Sequence, residues 1–308
     1  MNLSTEVGAG AAAGVARGRQ AGRAQGLSLL LFTVLAWSFN WPAMKLVLQY
    51  LPPFSMRTAS ALAAGTVVMG LALLRGERLL PPAGQWRRLL VLSFLNYTSW
   101  FGFVSVALVW LPATTAVIIT YTMPIWAVCL AWPVLGERPR RAHLLGLLLA
   151  LAGVAAALGG GLGRLAPGTL PGAACAFAAA LFFALGAVVT KRAPVALPPF
   201  ALVAWQMLLG IVPVALLAAL FEHPDFAALP PFGWLALAYS SFIALVVGYL
   251  CWFRALRLLP ASVATTGTLL VPVFGVFSSG LLLGEPLGPG KILALMLTVG
   301  GVALAMRR

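Results

Sequence analysis

The chain has 308 residues, of which 62% are hydrophobic and 8% charged, with a mean hydropathy of +1.01. A soluble domain runs at about 45–50% apolar and about 25% charged, so no water-soluble fold accounts for this composition. A transmembrane barrel would alternate polar and apolar residues over about ten positions; the sequence does not, which leaves an all-α integral membrane protein. The net charge of +14 reads as topology rather than nucleic-acid affinity, because Lys and Arg collect on the cytoplasmic side of membrane proteins.

Residues 1–26 are Ala/Gly-rich and read as a flexible cytoplasmic tail. A cleaved signal peptide fits poorly, since the apolar run that follows exceeds an h-region of about 7–15 residues. Spans of about 20 residues then fall at 27–47, 54–74, 89–108, 112–135, 143–162, 170–190, 199–220, 232–252, 261–283 and 290–306. With the N-terminus inside, sixteen Lys and Arg gather on the inner side: Arg17, Arg19, Arg23, Arg75, Arg78, Arg87, Arg88, Arg138, Arg140, Arg141, Lys191, Arg192, Arg254, Arg257, Arg307 and Arg308. Lys45, Arg164 and Lys291 stay outside, and Arg57 lies within the second span. Ten spans with both termini cytoplasmic is the expected topology. Cys129, Cys175 and Cys251 each sit alone in apolar runs and read as free thiols.

A shift of 148 residues lays 107–158 on 255–306 without a gap, with 19 identities in 52 positions. The informative ones are Leu111-Pro112-Ala113 on Leu259-Pro260-Ala261, Pro124 on Pro272, Gly136-Glu137 on Gly284-Glu285, and Gly153-Val154-Ala155 on Gly301-Val302-Ala303. A shift of 146 places Lys45 on Lys191 and Pro52-Pro53-Phe54 on Pro198-Pro199-Phe200. The expected halves are 27–162 and 163–308. Each has five spans, an odd number, so the second copy crosses the membrane inverted. Inverted repeats of this kind belong to secondary transporters, with substrate near the midplane between the halves.

The paired "LPA…P…LGE" helices, the Gly-Val endings and the opening "LAWSFNWPAMK" (Leu35 to Lys45) resemble EamA-type carriers of the drug/metabolite transporter superfamily over about residues 27–306. The resemblance implies a small-molecule carrier of the inner membrane. Members export amino acids and related metabolites or take up small solutes. It therefore suggests export of an amino acid or related zwitterion or anion, and leaves open uptake of sugars or nucleotide-like solutes.

Pro124 and Pro272 fall near the middle of the fourth and ninth spans. A helix-interior proline cannot donate to the carbonyl four residues back, here that of Thr120 or Thr268. Either the local threonine repairs a simple kink, or the two kinks border a substrate cavity. Candidate walls are Trp37, Asn40, Trp100, Tyr121, Trp205 and Gln206; the alternative for each ring is helix packing. Trp41, close to Lys45, reads as an interfacial tryptophan. Arg57 either attracts a carboxylate or phosphate at the outer gate or snorkels to the surface. Lys45 and Lys191 read as interfacial anchors.

Glu6, Glu77, Glu137, Glu222, Asp225 and Glu285 all lie away from mid-membrane, which argues against export of cationic drugs. Glu137 and Glu285 are expected to pair with Arg138, Arg141 or Lys291. The rival class, a membrane-embedded enzyme, would need gathered nucleophile, base or metal ligands. The only histidines are His143 and His223, and HExxH, GxSxG and Walker motifs are absent. The expectation is a monomer in the lipid bilayer, without cofactor, metal, ATP or nucleic acid, acting on a small-molecule substrate.

Overall fold

The computed structural model describes residues 3–138, 140–158 and 169–306, and every described element is helical. In chain order, α1 is Leu3–Val47, α2 Pro53–Leu74, α3 Trp86–Trp110, α4 Ala113–Thr120, α5 Met123–Leu135, α6 Arg141–Ala157 and α7 Thr169–Arg192. Then follow α8 Pro199–Phe221, α9 Pro231–Leu258, α10 Ala261–Gly267, α11 Leu270–Leu283 and α12 Pro289–Ala305. Seven helical stretches are long and apolar enough to cross a membrane: Gly22–Val47, Pro53–Leu74, Trp86–Trp110, Ala113–Leu135, Thr169–Arg192, Pro199–Phe221 and Pro231–Leu258. Arg141–Ala157, Leu270–Leu283 and Pro289–Ala305 are shorter apolar helices. Large apolar side chains cover the outside, among them Leu74, Phe221, Leu235 and Leu281, as suits a surface that faces lipid rather than water.

Two expectations change. Residues 3–26, read as a flexible tail, continue α1 toward its N-terminus; alanine is the best helix former and is plentiful there. Pro124 and Pro272, read as kinks inside continuous helices, instead stand in the first turns of α5 and α11. The first four N–H groups of a helix have no partner within it, so proline fits there without loss. The expected fourth span is broken at Tyr121–Thr122 and the expected ninth at Thr268–Leu269. The expected junction at 162/163, together with Arg164, Arg307 and Arg308, lies outside the described residues.

Several helices open on proline, with Pro52, Pro112 and Pro198 at the N-caps of α2, α4 and α8. Proline has no side-chain oxygen to cap with, so carboxylates come from elsewhere in the chain. Glu222 accepts the N–H groups of Phe54 (2.9 Å) and Ser55 (2.6 Å) and the Ser55 hydroxyl (2.7 Å) at the start of α2. Glu77 accepts the Ala201 N–H of α8 at 2.9 Å. Glu285 accepts those of Ala113 (2.7 Å) and Thr114 (2.9 Å) in α4. Negative charge also suits the positive end of the helix dipole. Gly136 and Gly284, one repeat apart, end α5 and α11 at φ 77° and 66°, where a side chain would be strained.

Extensive helix contacts include α6 with α12, α2 with α8, α3 with α7, α1 with α11, α1 with α9, and α5 with α7. Under the 146–148 residue shift the first two pairs map onto themselves. The α1–α9 pair becomes α7–α3, and α1–α11 becomes α7–α5. The correspondence reaches single residues. A Cβ added to Gly26 would meet Leu259 at 2.7 Å, and one on Gly172 would meet Leu111 at 2.8 Å. Gly146 lies against the Gly301 carbonyl and Gly153 against that of Ala294, so α6 and α12 pack backbone to backbone and antiparallel. Helices α3 and α9 each contain a π-helical stretch, Phe94–Thr98 and Tyr239–Val247, again at matching positions.

Candidate functional site

A cavity of about 110 Å³ lies at the centre of the bundle, lined by Trp37, Asn40, Trp41, Met44, Trp100, Tyr121, Met123, Phe183, Leu245 and Tyr249. Trp37, Trp41 and Met44 occupy one face of α1 at spacings of four and three. Trp37 and Phe183 are repeat mates, so the same position of each half contributes a ring. Rings hold one another in place: Trp41 meets Trp100 at 6.5 Å and Tyr121 at 6.4 Å, Trp100 meets Phe183 at 5.1 Å, and Trp37 meets Tyr249 at 5.5 Å. The Trp37 indole donates to the Ala244 carbonyl at 3.1 Å, a carbonyl within the π-helical stretch of α9. The Ser240 hydroxyl donates to the Asn40 side-chain oxygen at 2.5 Å. The break in the fourth span places Tyr121 at the wall; Thr122 Oγ1 donates to the Ile119 carbonyl at 2.7 Å and accepts from the Trp126 indole at 3.1 Å.

Of the sequence-predicted residues, Trp37, Asn40, Trp100 and Tyr121 meet at this cavity. Thr120 is buried one position away, its hydroxyl donating to the Ala116 carbonyl at 2.8 Å. Trp205 packs on Trp86 and donates to the Leu79 carbonyl at 2.7 Å. Gln206 accepts from Asn96 at 2.9 Å. Thr268 follows α10 in the break, and its carbonyl accepts the Val271 N–H at 3.0 Å. These four residues do not line the cavity. Arg57 is 1% exposed and does not snorkel. Its Nε donates to Ser105 Oγ at 3.3 Å, its Nη2 contacts the Met44 sulfur, and its guanidinium lies 5.0 Å from the Phe101 ring centre. Sequence reasoning missed Trp41, Met44, Met123, Phe183, Leu245 and Tyr249. Helical spacing from Trp37 pointed to two of them, and the repeat pointed to Phe183.

The two ends of the bundle differ. At the Lys191 end a vestibule of about 320 Å³ opens between α5, α6 and α7, lined by residues that include Ala127, Val128, Ala187 and Lys191. Ala127 and Ala187 sit one turn beyond Met123 and Phe183 of the central cavity. Lys191 and Glu137 form an ion pair at 2.5 Å with both side chains more than half exposed; Glu137 thus pairs with Lys191 rather than with the expected arginines. At the Lys45 end the equivalent space is filled. Trp41 and Val276, mates of Ala187 and Val128, are 3% and 0% exposed. Lys45 donates to the carbonyls of Leu108 and, at 2.9 Å, Leu111, so it ties α1 to α3 instead of anchoring at the interface. Glu285 is within Coulombic reach of Lys45 and Lys291, and the Lys291 ammonium donates to Thr114 Oγ1 at 2.7 Å.

The EamA-like transporter family model matches residues 24–159 and 170–307. The chain belongs to the EamA-like transporter family. It is 30% identical over 281 residues, 90% of each chain, to the uncharacterized transporter YvbV of Bacillus subtilis (strain 168). It is 27% identical to a probable amino-acid metabolite efflux pump of Salmonella typhimurium (strain LT2), covering 89% of this chain and 92% of that one. The uncharacterized inner membrane transporter YedA of Escherichia coli (strain K12) is 25% identical, with 88% and 87% covered. A protein crystal structure matches with a TM-score of 0.63 at 23% identity, over 90% of this chain and 96% of that chain, a likeness of fold. This EamA-like protein is accordingly a multi-pass membrane protein. The two matched stretches each contain one copy of the LPA…LGE helix pair.

Proposed function

We propose that the protein is a secondary carrier that exports a small zwitterionic or anionic metabolite, an amino acid or a relative of one, across the inner membrane. In this reading ten spans form two inverted five-span halves with both termini cytoplasmic, the shorter apolar helices completing the count. The Lys191 end then faces the cytoplasm and the Lys45 end the outside. What supports it most directly is the unequal state of two ends built from the same sequence pattern: filled at Lys45, open at Lys191, with one aromatic cavity between. Two copies of one half in different conformations are what alternating access requires. The exchange of helix pairs under the repeat supports the inverted arrangement, and one chain supplies both halves, so a monomer suffices and no ATP is needed. Aromatic walls with Asn40 and Tyr121 among them suit an amphipathic solute, and the similarity to a probable amino-acid metabolite efflux pump favours export of amino-acid-like solutes.

Counterflow tests the reading. Purified protein in liposomes preloaded with an unlabelled amino acid should accumulate the same amino acid in labelled form, and empty liposomes should not. If none of the twenty amino acids gives counterflow, the substrate assignment is wrong.

A further inference from the structure

We infer that Arg57 is the carboxylate subsite of the central cavity, holding the acid group of a zwitterionic substrate while the aromatic walls and Asn40 take the rest. The inference rests on the carrier reading above and narrows its substrate to a solute with a free carboxylate.

The guanidinium is buried and has one hydroxyl, one thioether and one ring as its described neighbours. Guanidinium offers five N–H donors, so this environment leaves most of its capacity unused. Among the described residues the only ion pair within 4 Å is Lys191–Glu137. Glu222, which reaches the start of α2 from the end of α8, is committed to the Phe54 and Ser55 N–H groups. A buried cation without an anion is costly in a membrane and marks function unless the packing demands it.

The repeat supplies an internal control for that demand. Arg57 corresponds to Val203, which is buried in an apolar cluster with Tyr249 and Phe253; those two are the mates of Phe101 and Ser105. The fold therefore builds this helix contact without a cation, and only one half carries Arg57. Met44 connects it to the cavity, lining that space while touching the guanidinium. Methionine has three rotatable bonds, so a rotamer change exposes the guanidinium to a carboxylate, which it can bind through two parallel charge-assisted hydrogen bonds.

The test titrates intrinsic tryptophan fluorescence of the purified protein with L-leucine, L-phenylalanine and L-threonine, each beside its primary amide. The amides keep shape and ammonium and lose the negative charge. We expect at least tenfold tighter binding of the acids. Arg57→Met should abolish that preference by weakening the acids at least tenfold while leaving the amides within twofold, and Arg57→Lys should restore part of it. Equal binding of acid and amide by the unaltered protein overturns the subsite while leaving amino-acid transport standing, and needs no variant to fold. An undiminished preference in Arg57→Met overturns it equally. If neither acids nor amides bind, benzoate becomes the probe, and the amino-acid reading is left to the counterflow experiment. Loss of benzoate binding in Arg57→Met then upholds the subsite, and no benzoate binding, or unchanged binding, overturns it.

Discussion

Removing the Lys45 ammonium should open the end of the bundle that is closed in this structure. Lys45 donates to two carbonyls at the C-terminal end of α3. A hydrogen bond to a charged group is worth about 1.5–3 kcal/mol, and the pair together about 3–6. Part is offset, because the lysine loses hydration when it is partly buried. A net contribution of about 2 kcal/mol remains, and at about 1.4 kcal/mol per tenfold Lys45→Met should shift the balance between end states about 30-fold. Lys191→Met removes an exposed ion pair of the same state, worth about 0.5 kcal/mol, and should shift the balance by less than about threefold in the same sense. The assay is maleimide labelling in detergent, with Cys129, Cys175 and Cys251 replaced. Val276→Cys reports on the Lys45 end and its mate Val128→Cys on the vestibule. Lys45→Met should raise the labelling rate at 276 and lower it at 128. Equal rates at position 276 with and without Lys45 would refute the idea that this lysine holds the end shut.

A Gly146→Val change brings a side chain to within 2.5 Å of the Gly301 carbonyl and should cost about 3 kcal/mol, read as a lower melting temperature. Gly300→Ala, with nothing within 4 Å of its added carbon, should melt like the unaltered protein. Glu222→Ala removes three hydrogen bonds from the start of α2 and should destabilise by about 2 kcal/mol. Glu222→Gln, which keeps an acceptor, should cost about half as much in the same melting experiment. In the cysteine-free background Thr120→Cys should stay unreactive toward maleimide, while Asn40→Cys should react and be protected by substrate; no protection at position 40 would remove the central cavity from the transport path.

Much of the architecture was legible because duplication leaves a signal that composition cannot blur. Pro112, Pro124, Gly136 and Glu137 recur at one spacing in a background of Leu and Ala. The breaks in the fourth and ninth spans were not legible. An apolar run such as Ile118-Ile119-Thr120-Tyr121-Thr122-Met123-Pro124 reads equally as a kinked helix or as one helix ending and another beginning. Only the backbone bonds around Thr122, to the Ile119 carbonyl and from the Ile125 N–H, distinguish the two. In the cavity, depth along a helix was mistaken for facing. Trp205 and Gln206 turn toward Leu79 and Asn96 instead. Trp41 was assigned to the lipid interface for its closeness to Lys45, which in fact bends inward to the α3 carbonyls and leaves Trp41 to the cavity. The carboxylate caps were hidden for a different reason: Glu222 acts on a helix 167 and 168 residues away, and no local motif encodes that.

The glycine seam between α6 and α12 has a bearing on how such a machine can wear. In the exchange of states proposed above, the Lys45 tie must break and re-form in every cycle, so its strength is capped by the rate at which it has to release. The contact of Gly146 with Gly301 is different in kind. Swapping the halves turns it into the contact of Gly153 with Ala294, so the seam is invariant under the motion. An invariant contact imposes no kinetic penalty however tight it becomes. Selection can therefore press these two backbones together without slowing turnover, making them a fulcrum on which looser, reversible parts turn.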